Sequence, residues 1–240
     1  MKYAIISAGE GSRLAQEGVA LPKPLVEIGG EAMIDRLIRI FSRQGAEEVA
    51  VIINNEVEAT KSHIQQLQQR VHVPLRVVVQ TTPSSMHSFH ALSPWLRGGR
   101  LCLTTVDTIF REEEFADFIR TFEQSDVDGM MAVTGYVDDE KPLYVSTAPN
   151  LDITGFHDTP VPDARFISGG IYCLTDPCLD VLEECVAQGM SRMRNYQRSL
   201  VARGMRLKAF PFSKILDVDH ASDIAKAEAF VHTQSSHIIP

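Results

Sequence analysis

The chain has 240 residues, a formal net charge of -8 and a sequence pI near 5.5. That acidity argues against a general nucleic-acid binder, whose affinity comes from clustered Lys and Arg, so an anionic ligand has to be met by locally placed cations. Hydrophobic residues at 44% and charged residues at 22% exclude a disordered chain, and no segment approaches the ~20 apolar residues of a membrane span.

In chain order, the first strand is predicted over residues 2–7 and runs straight into AGEGSRL, residues 8–14. A glycine loop behind the first strand of an α/β protein can turn several backbone N–H groups onto one anion, and Gly9 and Gly11 are spaced for that. The pattern lacks the GxxxxGK[ST] of a Walker loop, and Leu14 stands where a dinucleotide fingerprint needs its third glycine. Leu21-Pro22-Lys23-Pro24-Leu25 and Ile28-Gly29-Gly30 follow. A helix is predicted over 31–44, with Met33, Ile34, Leu37, Ile38 and Phe41 at helical spacing and Gly45 at the C-terminal cap.

Further strands are predicted over 49–53, 75–80 and 101–106 with helices between them, which is the mark of βαβ units and a parallel sheet. Asn54 and Asn55 occupy the strand end where a dinucleotide-binding oxidoreductase would carry an acid. After Asp128 the pattern changes to short β-like runs, GMMAVTGYV, LYVST, DITGF and FISGGIYCL, which predict mixed or antiparallel pairing. Helices at 178–188 and 190–202, a strand at 205–210 and a last helix at about 221–231 complete the chain. With no linker or repeat, one α/β domain over 1–232 and a tail over 233–240 are expected.

Asp107 ends the strand over 101–106, at the edge where open α/β sheets bind ligands. A carboxylate there is a hard oxygen ligand suited to magnesium; the alternative is a cap for the helical stretch around 112–122. Asp217 and Asp219 alternate along an extended segment and so share a side, with Asp219 also readable as the cap of the last helix. Asp223 reads as a first-turn charge. Cys102, Cys173, Cys178 and Cys185 lack CxxC spacing and read as buried thiols. His87 and His90 share a helical face without a Glu or Cys to complete a metal set.

The strand, AGxGxRL, a short variable stretch, PKPL and a small loop with a helix together resemble the nucleotidyltransferase family that makes nucleoside-diphosphate sugars, with its cytidylyltransferase relatives. The match is continuous through about residue 44, and weaker matches extend to the last helix. The resemblance implies a Rossmann-like α/β fold, a mixed, mostly parallel sheet flanked by helices. Ala8, Gly9, Gly11 and Ser12 would wrap nucleotide phosphates, Arg13 and Lys23 would neutralise triphosphate charge, and Asp107, Asp217 and Asp219 would hold Mg²⁺. Gln80 and Ser85 would face the base or ribose, although Ser84 or Ser85 can equally cap a helix. Gly169 and Gly170 would border the acceptor pocket, or simply form a bulge. Glu140-Lys141-Pro142 looks like the family's sugar-phosphate motif but precedes LYVST and DITGF instead of following them. That leaves Arg194 or Lys214 for the acceptor phosphate, unless both are solvated charges.

The implied reaction moves a nucleoside monophosphate from a nucleoside triphosphate to a sugar 1-phosphate with release of pyrophosphate. Phosphocholine or another small phosphate is the alternative acceptor, and a non-catalytic sensor of nucleotides or sugar phosphates is the alternative of another class. A phosphate monoester, with a second pKa of ~6, is already an ionised nucleophile and needs no general base. The apolar run before the glycines is too short for a signal peptide, so a cytoplasmic protein with no nucleic-acid or membrane partner is expected; oligomeric state is left open.

Overall fold

The computed structural model describes residues 1–9, 11–138 and 141–235. Strand β1 (Lys2–Ser7) is buried from Tyr3 onward. Its pleat sends Tyr3 and Ile5 into one hydrophobic cluster and Ala4 and Ile6 into another. A strand buried on both faces requires helices on both sides, the arrangement that parallel sheets adopt.

The loop after β1 leads into a short helix α1 (Ser12–Gln16), a 3-10 turn (Lys23–Leu25) and a small hairpin, β2 (Glu27–Ile28) and β3 (Glu31–Ala32). Helix α2 (Met33–Arg43) starts two residues later than its periodicity predicts, because Glu31 and Ala32 pair with β2. Gly45, at φ 70, closes it in the left-handed conformation expected of a helix stop. Then come β4 (Glu48–Ile53), α3 (Glu58–Arg70), β5 (Leu75–Val79), α4 (Ser85–Leu96), β6 (Arg100–Thr105), β7 (Thr108–Ile109) and α5 (Glu112–Glu123). The second half holds β8 (Gly129–Thr134), β9 (Tyr144–Thr147), β10 (Ile153–His157), β11 (Ala164–Thr175), α6 (Asp176–Ala187) and α7 (Met193–Ala202). It ends with β12 (Leu207–Phe212), β13 (Leu216–Asp217) and α8 (Ala221–Ser235).

The sheet runs β10-β9-β11-β6-β1-β4-β5, with β8 joining β11 to β12. Strands β6, β1, β4 and β5 are parallel, whereas β11 runs antiparallel to β6, β8 and β9. The change of pattern after Asp128 is this reversal, and the result is the expected mixed, mostly parallel sheet flanked by helices in one domain. Helix α7 begins at Met193, not 190, since Arg192 sits at φ 70, outside the helical region. The four cysteines are buried and unpaired. No described helix is long and apolar enough to cross a membrane. Residues 236–240, most of the tail read from the sequence, lie outside the described residues, as do Glu10 and Glu140.

Candidate active site

Two clefts open at the ends of the central strands. The first, about 440 Å³, is lined among the described residues by Ile6 to Gly9, Gly11 and Ser12, by Lys23 and Pro24, by Thr81 to Ser85 with Ser88, and by Thr105 to Asp107. The second, about 420 Å³, takes Arg13 from the N-terminal region and otherwise draws on residues between Thr134 and Lys226.

Gly11 has two reasons to be glycine. Its φ is +61, and a Cβ placed there would stand 3.0 Å from the Lys23 Cβ. The glycine loop and the PKP segment therefore pack directly on each other. Lys23 is held between Pro22 and Pro24, whose rings limit the backbone on either side. Its ammonium ion-pairs with Asp107 Oδ2 and lies 2.6 Å from Asp219 Oδ1, while Arg13 Nη1 lies 3.4 Å from Asp219 Oδ2. The side chains of Lys23 and Asp107 are only 14% and 16% exposed. Burial works to lower the Lys23 pKa, but Asp107 and Asp219 outweigh it and raise it, so the ammonium stays charged. Two predicted cations and two predicted acids thus form one seam between the clefts.

Asp107 is delivered by a tight turn between β6 and β7. Val106 points into the core and donates its N–H to Ile6 O at 3.0 Å, and the Thr105 and Thr108 hydroxyls close the turn at 2.7 Å. Helix α5 begins at Glu112 with Arg111 at its cap position, so Asp107 is not its cap. The Val218 N–H donates to Asp107 O at 3.1 Å, and β13 pairs Asp217 with Thr108. Val218 is buried while Asp217 and Asp219 both line the second cleft, as strand alternation requires. At the start of α8, the Asp223 carboxylate accepts the N–H groups of Asp219 and His220, and Glu17 accepts from His220 Nδ1 and the Ala221 N–H, both at 2.6 Å. Asp219 is left for the seam and Asp223 is structural.

Magnesium commonly binds through one or two carboxylates plus phosphate oxygens and water. Asp107 and Asp219 already place an oxygen each on one ammonium, so the residues fit a small hard cation, with Asp217 beside them on the second cleft. Among the described residues no group of three or more His, Cys, Asp or Glu is arranged to hold an ion unaided, so phosphate oxygens would complete such a site.

Ala8, Gly9, Gly11, Ser12 and Ser85 line the first cleft, and Ser84, not Ser85, takes the cap position of α4. Arg13 lines the second cleft, away from the phosphate loop it follows. Gln80 is corrected: it is exposed at the end of β5, held through its backbone N–H to Ile53 O, and the cleft wall begins at Thr81. The glycine pair does sit in a bulge, between Ser168 and Tyr172 of β11. Gly169 lines the second cleft, where an added Cβ would lie 2.2 Å from Ile215 Cδ1; Gly170, at φ +74, packs towards Thr108 and Thr105 and lines neither cleft. Arg194 lines the second cleft while pairing with Asp158 at 2.5 Å and donating to Lys141 O at 3.0 Å. Lys214 is corrected: its ammonium lies 4.2 Å from the centre of the Tyr136 ring and outside the cleft wall. Lys141, set aside on motif order, lines the second cleft.

Three positioning residues escaped sequence reasoning. Asn54, 4% exposed, donates to Ala8 O at 3.3 Å and accepts from the Glu56 N–H at 2.7 Å and the Thr81 hydroxyl at 3.2 Å. One amide thereby stitches the glycine loop to the opposite wall of the first cleft. Arg36, buried on α2, donates to Phe110 O at 2.9 Å and anchors the chain leaving β7. Glu17 clasps α1 to α8. An isolated polar residue on a strand end, a helix or a turn carries no periodic signal to mark it.

A model of the MobA-like NTP transferase domain matches residues 3–202. A mannose-1-phosphate guanyltransferase of Schizosaccharomyces pombe is 26% identical over 76% of this chain and 52% of its own length. A glucose-1-phosphate cytidylyltransferase of Salmonella typhimurium is 23% identical over 76% of this chain and 78% of its own. The chain spans about half the length of the guanyltransferase relative. In fold it is similar to an inositol-1-phosphate CTP transferase from T. maritima, with TM-score 0.80 and 18% identity over 100% of this chain and 98% of that one. It is also similar to a Bacillus anthracis structure described as a putative glucose-1-phosphate thymidylyltransferase, with TM-score 0.83 and 19% identity over 96% and 94% of the two chains.

Proposed function

Because the chain belongs to the MobA-like NTP transferase domain family, we propose that it moves a nucleoside monophosphate from a nucleoside triphosphate to a sugar 1-phosphate and releases pyrophosphate. The observation that carries this reading is the seam of Arg13, Lys23, Asp107 and Asp219 between two adjoining clefts of about 440 and 420 Å³. The triphosphate lies in the first cleft against the backbone of the glycine loop, and the acceptor lies in the second.

An oxygen of the acceptor phosphate attacks the α-phosphorus; a new P–O bond forms, the bond to the bridging α–β oxygen breaks, and pyrophosphate leaves with that electron pair. The acceptor is already ionised near neutral pH, so the protein's work is to align two anions and offset their repulsion. Lys23 reaches the first cleft and Arg13 the second, so each anion meets a cation on its own side. Mg²⁺, held by Asp107 with Asp219 or Asp217, would supply further neutralisation of phosphate charge. A cytoplasmic setting suits the triphosphate donor and four buried free thiols.

A sugar phosphate is favoured over phosphocholine by the second cleft itself. Its aromatic side chain, Tyr136, already has the Lys214 ammonium against its ring at 4.2 Å, and a quaternary ammonium would need such a face free. Asp138, Asp217 and Asp223 with Lys141 and Lys226 offer the mixed acceptors and donors that hydroxyl groups take. Pyrophosphate release from the common nucleoside triphosphates, paired with sugar 1-phosphates and with phosphocholine, in Mg²⁺ or chelator, tests the proposal. Turnover only with a triphosphate and a sugar 1-phosphate together supports it. Triphosphate binding with no turnover for any pair overturns it in favour of a sensor.

A further inference from the structure

Resting on the proposed nucleotidyl transfer, we infer that Lys23 occupies the divalent-cation position of the free protein and vacates it only when a triphosphate arrives. The ammonium contacts one oxygen of Asp107 and lies 2.6 Å from one of Asp219, so a cation already stands where these two carboxylates meet. The backbone under it has little freedom, being flanked by two prolines and seated against Gly11, but the lysine stem has rotatable methylenes beyond that anchor. The side chain can move; the main chain stays.

Charge makes the two occupants exclusive. Arg13 and Lys23 balance Asp107 and Asp219, so the seam is neutral as it stands. A divalent ion entering with Lys23 in place would share the same two carboxylates with an ammonium that is 14% exposed, and buried like charges repel with little screening. A triphosphate in the first cleft changes this balance. It brings several negative charges to the loop on which Lys23 is packed, gives the ammonium phosphate oxygens as new partners, and leaves both carboxylates to the metal. Binding is therefore synergistic, and by linkage the triphosphate tightens the cation by the same factor as the cation tightens the triphosphate.

Mn²⁺, followed by the electron paramagnetic resonance of the free ion, serves as the probe. It is titrated with and without an α,β-methylene triphosphate analogue that cannot be cleaved at the reacting bond. The wild-type protein should bind Mn²⁺ weakly alone and at least tenfold more tightly with the analogue. Lys23→Met, which keeps the stem and removes the charge, should bind Mn²⁺ alone at least tenfold more tightly than the wild type. Adding Asp107→Asn to it should abolish that gain. Lys23→Arg keeps the charge and should stay closed like the wild type, an outcome that separates electrostatic exclusion from a folding defect. The inference is overturned if Lys23→Met binds Mn²⁺ alone no better than the wild type, or if Lys23→Arg binds it as well as Lys23→Met. Calorimetry of the analogue is scored separately: absence of triphosphate binding overturns the functional reading, while the Mn²⁺ comparison among the lysine variants still decides the exclusion.

Discussion

The first cleft takes its floor from the ends of the parallel strands β1 and β6 and much of its wall from one continuous stretch around residues 6–12, whereas the second is gathered from β8, β11, β13, α7 and α8. Their linings differ as much as their origins. Among the described residues the first offers backbone groups and hydroxyls with Lys23 and Asp107 as its charged groups; the second faces Asp138, Asp217, Asp219 and Asp223 against Arg13, Lys141, Arg194 and Lys226. Backbone N–H groups of a glycine loop can meet an anion without depending on side-chain choice. A ligand in the second cleft would be read by side chains, which can change one at a time without disturbing the sheet.

The sharpest way to break this comparison is at the seam both clefts share. Lys23→Ala should lower kcat by ~10²–10³, the usual loss when a positioned charge that stabilises a transition state is removed, and Asp107→Asn should do comparable damage. Initial-rate kinetics with both substrates checks this, and unchanged activity in either variant would overturn the mechanism. Next in size is Gly11→Ala, which forces a side chain into the left-handed region at a cost of ~1–2 kcal/mol and presses on the Lys23 Cβ. About a tenfold rise in KM for the triphosphate is expected from that cost, with the acceptor KM little changed.

Gly169→Ala should show the mirror image. Its Cβ would fall 2.2 Å from Ile215 Cδ1, so overpacking should cost ~1–3 kcal/mol in denaturant melts and raise the acceptor KM while sparing the triphosphate. Adding Ile215→Val removes the offending methyl, leaving Ala132 O at 3.2 Å and Cγ1 at 3.5 Å, and should restore most of the stability and of the acceptor KM. A rescue of only one would separate the bulge from the cleft.

The smallest effect is expected at the clasp that ties the two sides together. The His220 ring and the Ala221 N–H hold the exposed Glu17 carboxyl below its usual value of 4.5. With the folded-state value depressed, the clasp is complete above that usual value and is lost as pH falls through the folded-state one. Glu17→Gln should therefore change kcat/KM by less than about threefold, as exposed ion pairs contribute little. The wild type should show an acid-side rise in hydrogen exchange of the α1 amides, and Glu17→Gln should erase it.

Legibility followed the same division. Strand β1, the glycine loop, α2 and Asp107 at the end of β6 are readable because each lies on one run of chain whose period or spacing announces it, and Lys23 is marked by the PKPL of the family resemblance. The second cleft was read only in fragments. Gly169 lines the second cleft and Gly170 does not, since the two glycines of the bulge face different neighbours, Ile215 for the first and Thr108 with Thr105 for the second. Lys214 had a plausible charge but spends it on Tyr136 and Phe230. Lys141 was discounted on its place in chain order, yet β11 and α7 bring it to the cleft regardless of that order.

Determined by the sequence alone were the α/β pattern, the glycine loop and the shared side of Asp217 and Asp219, which are local patterns set by backbone sterics and strand alternation, while the phosphate-neutralising roles of Arg13 and Lys23 and the magnesium-holding roles of the acids at 107, 217 and 219 are what the family resemblance implies. Tertiary structure alone decided that Lys23 bridges Asp107 and Asp219, that Arg13 faces the second cleft, and that Asn54 and Glu17 hold the walls together. Those contacts join residues that lie from 27 to 206 positions apart in the chain. No local period encodes such a pairing; only the packing of strands and helices around the sheet brings the partners within reach.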